Sequence, residues 1–473
     1  MTQHFTHYID GKSHMGPNDG TLVIEAPHTG KQIGTINLGD ASTVARSVAS
    51  NLAALKQWSA MAPLERGRIL IDFGRNLRAA IGRLSEMEMA QTGKTPSQSP
   101  IEIEAAAQYF EFYGGLTTLP LGDVIDNGPG FHAYTTRVPF GVVGVITPWN
   151  LPLNQCARAI APALAMGNVV TAKPSEYTSG TAIELARIGM ESGLPPGVFN
   201  VVLGNGAECG AAIVSHPDVR KVCFTGSVRA GREIGRIAAD KTIPLTLELG
   251  GKSANIIFDD ADLDEAIPVA LSAFATNAGQ VCTAGTRLLV QDGVHDQVVE
   301  RLVALAKRAK IGEGADAIAG AITTSDQLER IHNYFEIARK DGAKCELGGE
   351  RSETGAGRYA AITIYSGVVP TMRIAQEEIF GPVLSVMRFG TEDEAVEIAN
   401  GTNYGLAAGL WTNDLSKAHR IAAALEAGYI SVNHYSPSIF MPFGGFKDSG
   451  YGREKGIEAL HHYCQIKSIN IKL

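Results

Sequence analysis

Apolar residues recur every three or four positions in the first quarter of the chain, a spacing typical of helices that bury one face. Between residues 41 and 60 the apolar positions are Val44, Val48, Leu52, Leu55 and Trp58. A second long helix is predicted from Pro63 to Gly93, because proline favours the start of a helix and glycine its end. A third begins near Pro100. We therefore expect the region before Gly114 to be mainly helical.

From Gly141 the pattern changes to short apolar runs that alternate with helical segments. The predicted strands are 142–147, 168–172, 198–203, 222–225 and 245–249, and the predicted helices are 153–166, 179–192 and 230–239. A similar series runs from Ser253 to about Asn433, with strands at 254–258 and 288–290 and helices that reach 278 and 310. Repeated strand–helix–strand units imply parallel sheets covered on both faces. The chain is thus predicted to be an α/β protein with two doubly wound, Rossmann-like domains.

Two segments fit neither series. Residues 123–137 are polar and rich in turn formers, and residues 463–473 alternate as an exposed strand does. Unpaired strands invite pairing with another element or subunit, so the protein is predicted to be at least a dimer.

Composition excludes several classes of function. The 473 residues exceed one compact core and suggest two or three domains. The 41 Lys and Arg and 49 Asp and Glu give a net charge of -8 without a basic run, so nucleic acid is not an expected partner. The N-terminus lacks a signal-peptide core, and prolines and glycines interrupt the most apolar region, 138–172, so no membrane span is expected.

Cysteine usage indicates a reducing compartment. The six cysteines are at positions 156, 209, 223, 282, 345 and 464, without a C-x-x-C pair or a Cys/His cluster. We expect a cytoplasmic protein with no bound metal and with most cysteines buried as small apolar residues.

Polar and glycine-rich segments follow the predicted strands at 148–150, 173–176, 204–206 and 226–227, where parallel sheets bind ligands. The usual G-x-G-x-x-G is missing, but 224–231 (F-T-G-S-V-R-A-G) opens a helix, and its glycines allow a pyrophosphate to approach backbone amides. Lys173 and Glu176 are placed to hold a ribose, and a carboxylate there repels a 2′-phosphate, which favours NAD over NADP. The alternatives are a plain strand-to-helix turn and a solvated ion pair.

Three further residues suggest covalent catalysis on a carbonyl. Cys282 is an accessible thiol at a predicted helix start or loop, and a helix N-terminus or an oxidised nicotinamide is expected to lower its pKa. Glu248 ends an apolar strand, where a dry environment raises the pKa of a carboxyl and suits a general base. Asn150 has an amide that can stabilise an oxyanion. A buried thiol, a strand-end ion pair and a helix cap are the respective alternatives.

Several motifs, taken together, resemble those of the aldehyde dehydrogenase superfamily. They are T-P-W-N at 147–150, K-P-S-E at 173–176, F-T-G-S at 224–227, E-L-G-G-K at 248–252, G-Q-V-C at 279–282, E-E-I-F-G-P at 377–382 and P-F-G-G-F-K at 442–447. They occur in the order of that family and span most of the chain. The resemblance implies that Cys282 is the nucleophile, that Glu248 is the base, and that Asn150 with the Cys282 N–H forms the oxyanion hole.

The resemblance also implies binding sites and domains. The predicted cofactor-binding residues are Ile146, Thr147, Pro148, Trp149, Lys173, Ser175, Glu176, Gly206, Phe224, Gly226, Ser227, Gly231, Leu249, Glu378 and Phe380. The predicted substrate-binding residues are Leu151, Gln155, Arg158, Val281, Thr283 and Phe443, with the loop 434–443. Residues 1–120 with 140–249 are expected to bind NAD, 250–447 to form the catalytic domain, and 121–139 with 448–473 to form an oligomerisation arm of a homodimer or homotetramer.

The predicted reaction is the NAD-dependent oxidation of a medium-sized aldehyde to its acid, through a thiohemiacetal and a thioester on Cys282. Water is the expected acyl acceptor, since relatives that transfer the acyl group to coenzyme A usually lack a glutamate at this position. One alternative is a semialdehyde dehydrogenase in which Arg158 binds a substrate carboxylate, although the second arginine of such relatives is Thr276 here. In the other interpretation, Arg158 pairs with a protein carboxylate or faces water at the domain surface. Two further classes are a cofactor-independent thiol esterase and a non-enzymatic relative.

Overall fold

The computed structural model of the protein describes residues 3–16, 20–119, 122–351 and 357–473. The predicted domain boundary at residues 120 and 121 lies outside these ranges. Within them, no helix combines the length and the apolar character needed to cross a bilayer. In the same part of the chain, no group of three or more His, Cys, Asp or Glu side chains is arranged to hold a metal ion.

Between residues 3 and 38 the elements of the described residues are all strands, so the prediction of a mainly helical N-terminal region was wrong for this part. The strands are β1 (Gln3–Phe5), β2 (His7–Ile9), β3 (Lys12–His14), β4 (Gly20–Glu25) and β5 (Gln32–Leu38). They are short, each of them carries polar residues, and β3 has no apolar residue, so no helical or strand period was visible. Pairing with other strands, not a local signal, determines their conformation.

Four helices follow: α1 (Ala41–Ala60), α2 (Pro63–Ala79), α3 (Ile81–Thr92) and α4 (Ser99–Gly115). The Asp40 side chain caps α1 by accepting from the N–H groups of Ser42 and Thr43. The single helix predicted for 63–93 is two helices. They are separated at Ala80, whose N–H donates to the carbonyls of Asn76 and Leu77, both at 3.1 Å. Neither glycine nor proline marks this break, so the sequence pattern did not reveal it.

The next part of the chain alternates strands and helices as predicted. Its elements are β6 (Val124–Ile125), β7 (Phe131–Pro139), β8 (Val142–Ile146), α5 (Pro152–Ala165), β9 (Val169–Lys173), α6 (Gly180–Glu191), β10 (Phe199–Val201), a π-helical turn (Gly206–Gly210), α7 (Ala211–Ser215), β11 (Val219–Thr225), α8 (Val228–Lys241) and β12 (Leu245–Glu248).

A second alternating series completes the chain. Its elements are β13 (Ala254–Ile257), α9 (Leu263–Ala275), a 3₁₀ turn (Thr276–Gly279), β14 (Arg287–Gln291), α10 (His295–Ala306), β15 (Lys310–Ile311), β16 (Ala317–Ala319), α11 (Ser325–Lys340), β17 (Lys344–Leu347), β18 (Thr363–Ser366), α12 (Arg373–Gln376), β19 (Val383–Phe389), α13 (Glu392–Asn400), β20 (Tyr404–Gly405), β21 (Ala407–Trp411), α14 (Leu415–Ala424), β22 (Tyr429–Val432), β23 (Phe446–Lys447), β24 (Gly450–Tyr451), α15 (Glu458–His462) and β25 (Cys464–Lys472). The helix predicted to reach residue 278 ends at Ala275 instead.

Two large sheets organise these elements. The first has eight strands in the order β24-β12-β11-β8-β9-β10-β2-β3, and its five central strands are parallel. The second has seven strands in the order β17-β18-β19-β14-β13-β21-β22, and all but β17 are parallel. Strand β24, which lies in the predicted arm segment, pairs instead with β12 of the first sheet.

The C-terminal strand pairs within its own chain. Strand β25 is antiparallel to β7 over nine residue pairs, from Cys464↔Pro139 to Lys472↔Phe131, and β7 also pairs with β6. One edge of β25 is therefore satisfied and the other lies at the margin of this three-stranded sheet. Oligomerisation through that margin stays a prediction.

A buried ion cluster joins α3 and α4. The Lys94 ammonium is fully buried and lies 3.2 Å from Glu88 Oε1 and 2.5 Å from Glu102 Oε2. Burial raises the pKa of Glu102 to about 7, with the charge of Lys94 acting in the opposite direction. Lys94 is thus the cation that balances two acidic groups in the interior.

We predict that Lys94→Met lowers the free energy of unfolding by about 3–5 kcal/mol, because removing one partner leaves buried carboxyls without their counter-charge. The measurement is the midpoint of the first urea-unfolding transition. Lys310→Met is the matched control, since Lys310 forms an ion pair with Asp316 at the surface and its loss is expected to have no measurable effect. Equal midpoints for the two variants would contradict the prediction.

Candidate active site

A cavity of about 420 Å³ lies at the carboxyl ends of β8, β11 and β12. Of the predicted residues, its wall contains Pro148, Trp149, Asn150, Gln155, Gly226, Ser227, Glu248, Leu249, Cys282, Glu378 and Phe380. This is the edge of a parallel sheet where ligands are expected to bind. The cavity therefore combines the predicted catalytic residues with about half of the predicted cofactor residues.

The chain after β12 brings Glu248 and Cys282 together. Glu248 is the last residue of β12, and the Gly226 N–H donates to its carbonyl at 3.0 Å. Three residues later, a Cβ added to Gly251 would lie 2.6 Å from the Cys282 carbonyl oxygen. Only glycine allows the two segments to approach so closely. The motifs that contain Glu248 and Cys282 are 34 residues apart in the sequence, and they are in direct contact in the fold.

The Glu248 carboxyl is buried without a hydrogen-bond partner. The residue is 2% exposed, and neither carboxyl oxygen has a donor among the described residues. Burial and the nearby charge of Glu454 raise the pKa of Glu248 well above its usual value, while Arg158, Arg453 and Lys455 act in the opposite direction. A carboxyl in this state holds its proton more tightly than an ordinary glutamate and has free lone pairs for water.

Cys282 lies in a loop after the 3₁₀ turn, which is one of the two placements expected for it, and no helix begins at this residue. Of the two expected sources of positive charge, the oxidised nicotinamide stays a prediction. The preceding residues Asn277, Ala278 and Gly279 have φ of 51°, 52° and 72°, a left-handed run that non-glycine residues rarely adopt. Burial raises the pKa of the Cys282 thiol to about 11, and the charge of Arg158 opposes this shift. In the described structure the Cys282 N–H has no acceptor.

Asn150 is held beside this loop. Its Nδ2 donates to the Gln280 carbonyl at 2.9 Å, and its own carbonyl accepts from Asn277 Nδ2 at 3.2 Å. Its side chain does not cap α5, whose N-terminus has no side-chain cap. One amide hydrogen of Asn150 is thus used for positioning, and the second one is free to face an oxyanion near Cys282.

Gly226 and Gly231, in the turn between β11 and α8, lie at positions where a side chain would collide with a neighbour. A Cβ at Gly226 would lie 2.5 Å from the Phe224 ring, and one at Gly231 would lie 2.6 Å from the Leu249 side chain. Ser227 caps α8 by accepting from the Ala230 N–H at 3.3 Å. The segment is therefore a tight strand-to-helix turn, and its residues 225–229 place the N-terminus of α8 in the cavity wall, where an anion can bind.

Glu378 and Phe380 close the cavity opposite Trp149. Glu378 Oε1 accepts from the Gly251 N–H at 3.0 Å, and burial raises the pKa of Glu378 to about 7. Phe380 has a left-handed φ of 62°, and its ring lies edge-on to Trp149 at 5.4 Å between centroids. A Cβ on Gly250 would lie 2.2 Å from Glu378 Oε2, so this position requires glycine.

The other predicted cofactor residues lie outside the cavity wall. They are Ile146, Thr147, Lys173, Ser175, Glu176, Gly206, Phe224 and Gly231. Lys173 Nζ donates to the Gly204 carbonyl at 2.8 Å and lies 3.4 Å from Glu176 Oε2. The two side chains thus form one ion pair at the carboxyl end of β9. Thr147 faces the interior, with its hydroxyl 3.2 Å from the Cys156 sulfur.

The predicted substrate residues have several different environments. Cys282 packs against the apolar cluster that contains Phe443, and the Tyr435 hydroxyl donates to the Thr283 carbonyl at 2.9 Å. Both polar atoms of the Gln155 amide are buried without partners in the described structure. Leu151 and Val281 are half-buried.

Arg158 is paired with a protein carboxylate. Its guanidinium forms a buried ion pair with Glu454, lies 3.3 Å from the Thr225 hydroxyl, and stacks 5.4 Å from the Phe443 ring centroid. The other Glu454 oxygen accepts from the Cys223 thiol at 3.0 Å. The structure thus agrees with the interpretation in which Arg158 pairs with a protein carboxylate. A free guanidinium for a substrate carboxylate is absent at this position.

Sequence reasoning missed Arg453, Glu454 and Lys455, which all act on Glu248. They are joined to the substrate loop by a two-way backbone pairing of Glu454 and Phe443, with both bonds at 2.7 Å. The available signal was three adjacent charges between Gly452 and Gly456. Its meaning depends on pairing with a distant loop, which no local pattern indicates.

Comparison with known proteins shows the family to which the chain belongs. The model of the aldehyde dehydrogenase family matches residues 15–469. This chain belongs to the aldehyde dehydrogenase family. The betaine aldehyde dehydrogenase of Bacillus subtilis (strain 168) is 40% identical over 473 residues, which cover 98% of this chain and 96% of that protein. The predicted enzyme class, an oxidoreductase of aldehydes, is confirmed at this level.

Solved aldehyde dehydrogenases confirm the predicted α/β fold. Indole-3-acetaldehyde dehydrogenase in complex with NAD⁺ has a TM-score of 0.98 at 38% identity and covers 100% of this chain and 97% of its own. Betaine aldehyde dehydrogenase from Staphylococcus aureus in complex with NAD⁺ has a TM-score of 0.96 at 36% identity, covering 99% and 94%.

We predict that Gly444→Ala disables this aldehyde dehydrogenase. An added Cβ would lie 2.7 Å from Glu248 Oε1 and 2.7 Å from the Gly452 carbonyl oxygen, so the carboxyl must move. Aldehyde oxidation should fall on the order of 100-fold, the size of effect that small displacements of catalytic groups produce. Gly235→Ala is the control, since its Cβ meets nothing within 4 Å. Full steady-state activity in Gly444→Ala would show that the carboxyl position is not critical.

Proposed function

We propose that the protein oxidises an aldehyde to the carboxylic acid with NAD, using Cys282 as nucleophile and Glu248 as general base. The observation that carries this proposal is a buried carboxyl without a hydrogen-bond donor next to an enclosed thiol, in one cavity. Two structural relatives in complex with NAD⁺ support the choice of cofactor.

The residues present fit a dinucleotide. The N-terminal amides of α8 with Ser227 would hold the pyrophosphate, and the Lys173–Glu176 pair would hold the adenosine ribose. Glu378, with Trp149 and Phe380, would hold the nicotinamide half. When bound, NAD supplies the acceptor for the hydride that leaves the aldehyde carbon.

Cys282 performs the first step by adding its sulfur to the aldehyde carbonyl. The oxygen becomes an oxyanion, and the free amide hydrogen of Asn150 with the Cys282 N–H stabilises it. Because burial raises the pKa of Cys282 to about 11, the thiolate needs positive charge nearby. Arg158 and Lys455 supply part of that charge.

Glu248 performs the second step by accepting a proton from the water that hydrolyses the thioester. Since its pKa is raised, the carboxyl is protonated at low pH and cannot accept a second proton. Turnover should therefore increase as the pH rises through the raised pKa of Glu248. No described donor competes with water for its oxygens.

Two alternatives from the sequence lose support. The semialdehyde route through Arg158 requires a free guanidinium, whereas Arg158 is paired with Glu454. A thiol esterase that works without cofactor would use the same Cys282 and Glu248, but it gives no role to Glu378 and to the N-terminal residues of α8, which line the same cavity. Ester hydrolysis that proceeds equally with and without NAD would favour the esterase.

We predict that Glu248→Gln separates the two half-reactions. The amide cannot accept a proton from water, so one burst of reduced cofactor should precede turnover that is slower by roughly 100- to 10,000-fold. Stopped-flow absorbance of reduced cofactor measures both phases. Cys282→Ala is the control, which should bind NAD but show no burst. A folded Glu248→Gln protein without a burst would mean that Glu248 also removes the thiol proton.

We further propose that NAD is preferred over NADP because the Glu176 carboxylate lies beside Lys173 at the ribose site. Glu176→Ala should lower the ratio of kcat/KM for NAD to that for NADP, since the repulsion of a 2′-phosphate is lost. The exposed carboxylate Glu65 provides the control variant Glu65→Ala, which should leave the ratio unchanged. Equal use of both cofactors by the unmodified enzyme would contradict the proposal.

A further inference from the structure

Lys455 is fixed against the substrate loop by the residues on either side of it. The N–H and carbonyl of Glu454 both bond to Phe443, and the Gly456 N–H donates to the Ile439 carbonyl at 3.1 Å. The Gly456 carbonyl accepts from the Tyr113 hydroxyl at 3.1 Å. Lys455 itself has a left-handed φ of 57°, which is strained for a residue with a side chain. Its side chain is thus held at a defined place beside Phe443.

The Lys455 ammonium has no anionic partner. The residue is 6% exposed, and in the described part of the chain its nitrogen makes no hydrogen bond or ion pair. Its one direct contact of note is with the Phe443 ring, at 4.6 Å from the centroid. Unlike Lys252 Nζ, it is not among the fully enclosed polar atoms, so it reaches accessible space. A buried, unpaired ammonium is costly, and an anionic ligand is its natural partner.

The charges near Cys282 favour a negative ligand. Arg158, Arg453 and Lys455 act on Glu248, and Glu454 is the carboxylate that acts on it among the described residues. Glu454 is already paired with Arg158. Burial raises the pKa of Glu248, which disfavours the negative charge of that carboxyl. The cluster therefore carries net positive charge, and Lys455 is the member whose charge is not matched.

We propose that Lys455 binds an anionic group of the substrate, so that this enzyme prefers aldehydes that carry a carboxylate. The inference rests on the proposed aldehyde oxidation and adds the class of substrate. Cys282 packs against the apolar cluster that contains Phe443, and the Lys455 ammonium lies 4.6 Å from the centroid of the Phe443 ring. The charge of Lys455 also acts on the Cys282 thiol, so a substrate attached to the sulfur lies within reach of that charge. Lys455 thus takes the role that the sequence suggested for Arg158.

A cationic aldehyde is disfavoured by the same contacts. Quaternary ammonium groups bind on the faces of aromatic rings. The Phe443 ring already has Arg158 at 5.4 Å and Lys455 at 4.6 Å from its centroid. A trimethylammonium group would have to displace or approach these cations. Betaine aldehyde, the substrate named for the Bacillus subtilis relative, should accordingly be a poor substrate here.

The protonation state of Lys455 agrees with this role. Burial, together with the charge of Arg158, lowers the pKa of Lys455 to about 8, so the ammonium form predominates at neutral pH. A bound carboxylate would favour the ammonium further.

The test is a set of aldehydes matched in length, oxidised by the full-length enzyme with NAD. Glyoxylate, succinic semialdehyde and 6-oxohexanoate are compared with acetaldehyde, butanal and hexanal, and betaine aldehyde is the cationic member. In at least one of the three length-matched pairs, the anionic aldehyde should have a kcat/KM roughly 10- to 100-fold above that of the neutral aldehyde. This is the gain in affinity that one hydrogen bond to a charged group provides. Betaine aldehyde should be the weakest substrate.

Two variants assign the effect to Lys455. Lys455→Met should bring the ratio of anionic to neutral kcat/KM close to one, mainly through KM, and Lys455→Arg should retain a ratio well above one. Arg158 still pairs with Glu454 in both variants, and Lys455→Gln replaces Lys455→Met if the latter does not fold. Lys56→Met, at an exposed position on α1, is the control and should leave the ratio unchanged.

The outcomes separate the two proposals. Equal kcat/KM within each pair for the unmodified enzyme, or an unchanged ratio in Lys455→Met, would overturn the role of Lys455 while aldehyde oxidation stands. A preference for betaine aldehyde would overturn it as well. No reduced cofactor from any of the aldehydes would instead contradict the proposed function itself.

Discussion

A carboxyl group that is buried without a hydrogen-bond donor is costly, and Glu248 is held in that condition at the end of β12. The backbone compensates for none of this cost, because β12 uses its own amides to pair with β11 and β24. What remains is electrostatic: Arg158, Arg453 and Lys455 oppose the rise in the pKa of Glu248 that burial and Glu454 produce. The charged residues 453–455 therefore act on one carboxyl, that of Glu248. The same segment contains the ion pair of Glu454 with Arg158, the left-handed Lys455 and the contact of Lys455 with the Phe443 ring.

Glycines create the space that this arrangement needs. Gly251 brings the segment after Glu248 against Cys282, Gly444 leaves room for the Glu248 carboxyl, and Gly250 does the same for Glu378. Each lies in a motif whose glycines look interchangeable in the sequence, yet each one is required by a different neighbour. The left-handed residues Asn277 and Ala278 add strain before Cys282, at a site where the surrounding packing maintains it.

Local patterns were sufficient for elements with a strong period and for residues at strand ends. The bounds of α1 and the position of Glu248 at the end of β12 follow from such patterns. They were insufficient where tertiary contacts decide, as in the strands before residue 39 and the break at Ala80. The same holds for Lys455, whose neighbours pair with a loop eleven residues away, and for Arg158, whose partner Glu454 is distant in sequence. Charge alone did not distinguish a substrate contact from an internal ion pair.

The protonation of Glu248 tests this account most directly. Infrared difference spectra of the unmodified enzyme against Glu248→Gln, recorded across a pH series, isolate the carbonyl band of the protonated Glu248 carboxyl. The account predicts that the band is still present at pH 4.5, the ordinary pKa of a glutamate, and disappears only well above it. A band that is lost near 4.5 would show that water or a donor reaches the carboxyl, and the central claim of a dry, unpaired base would fail.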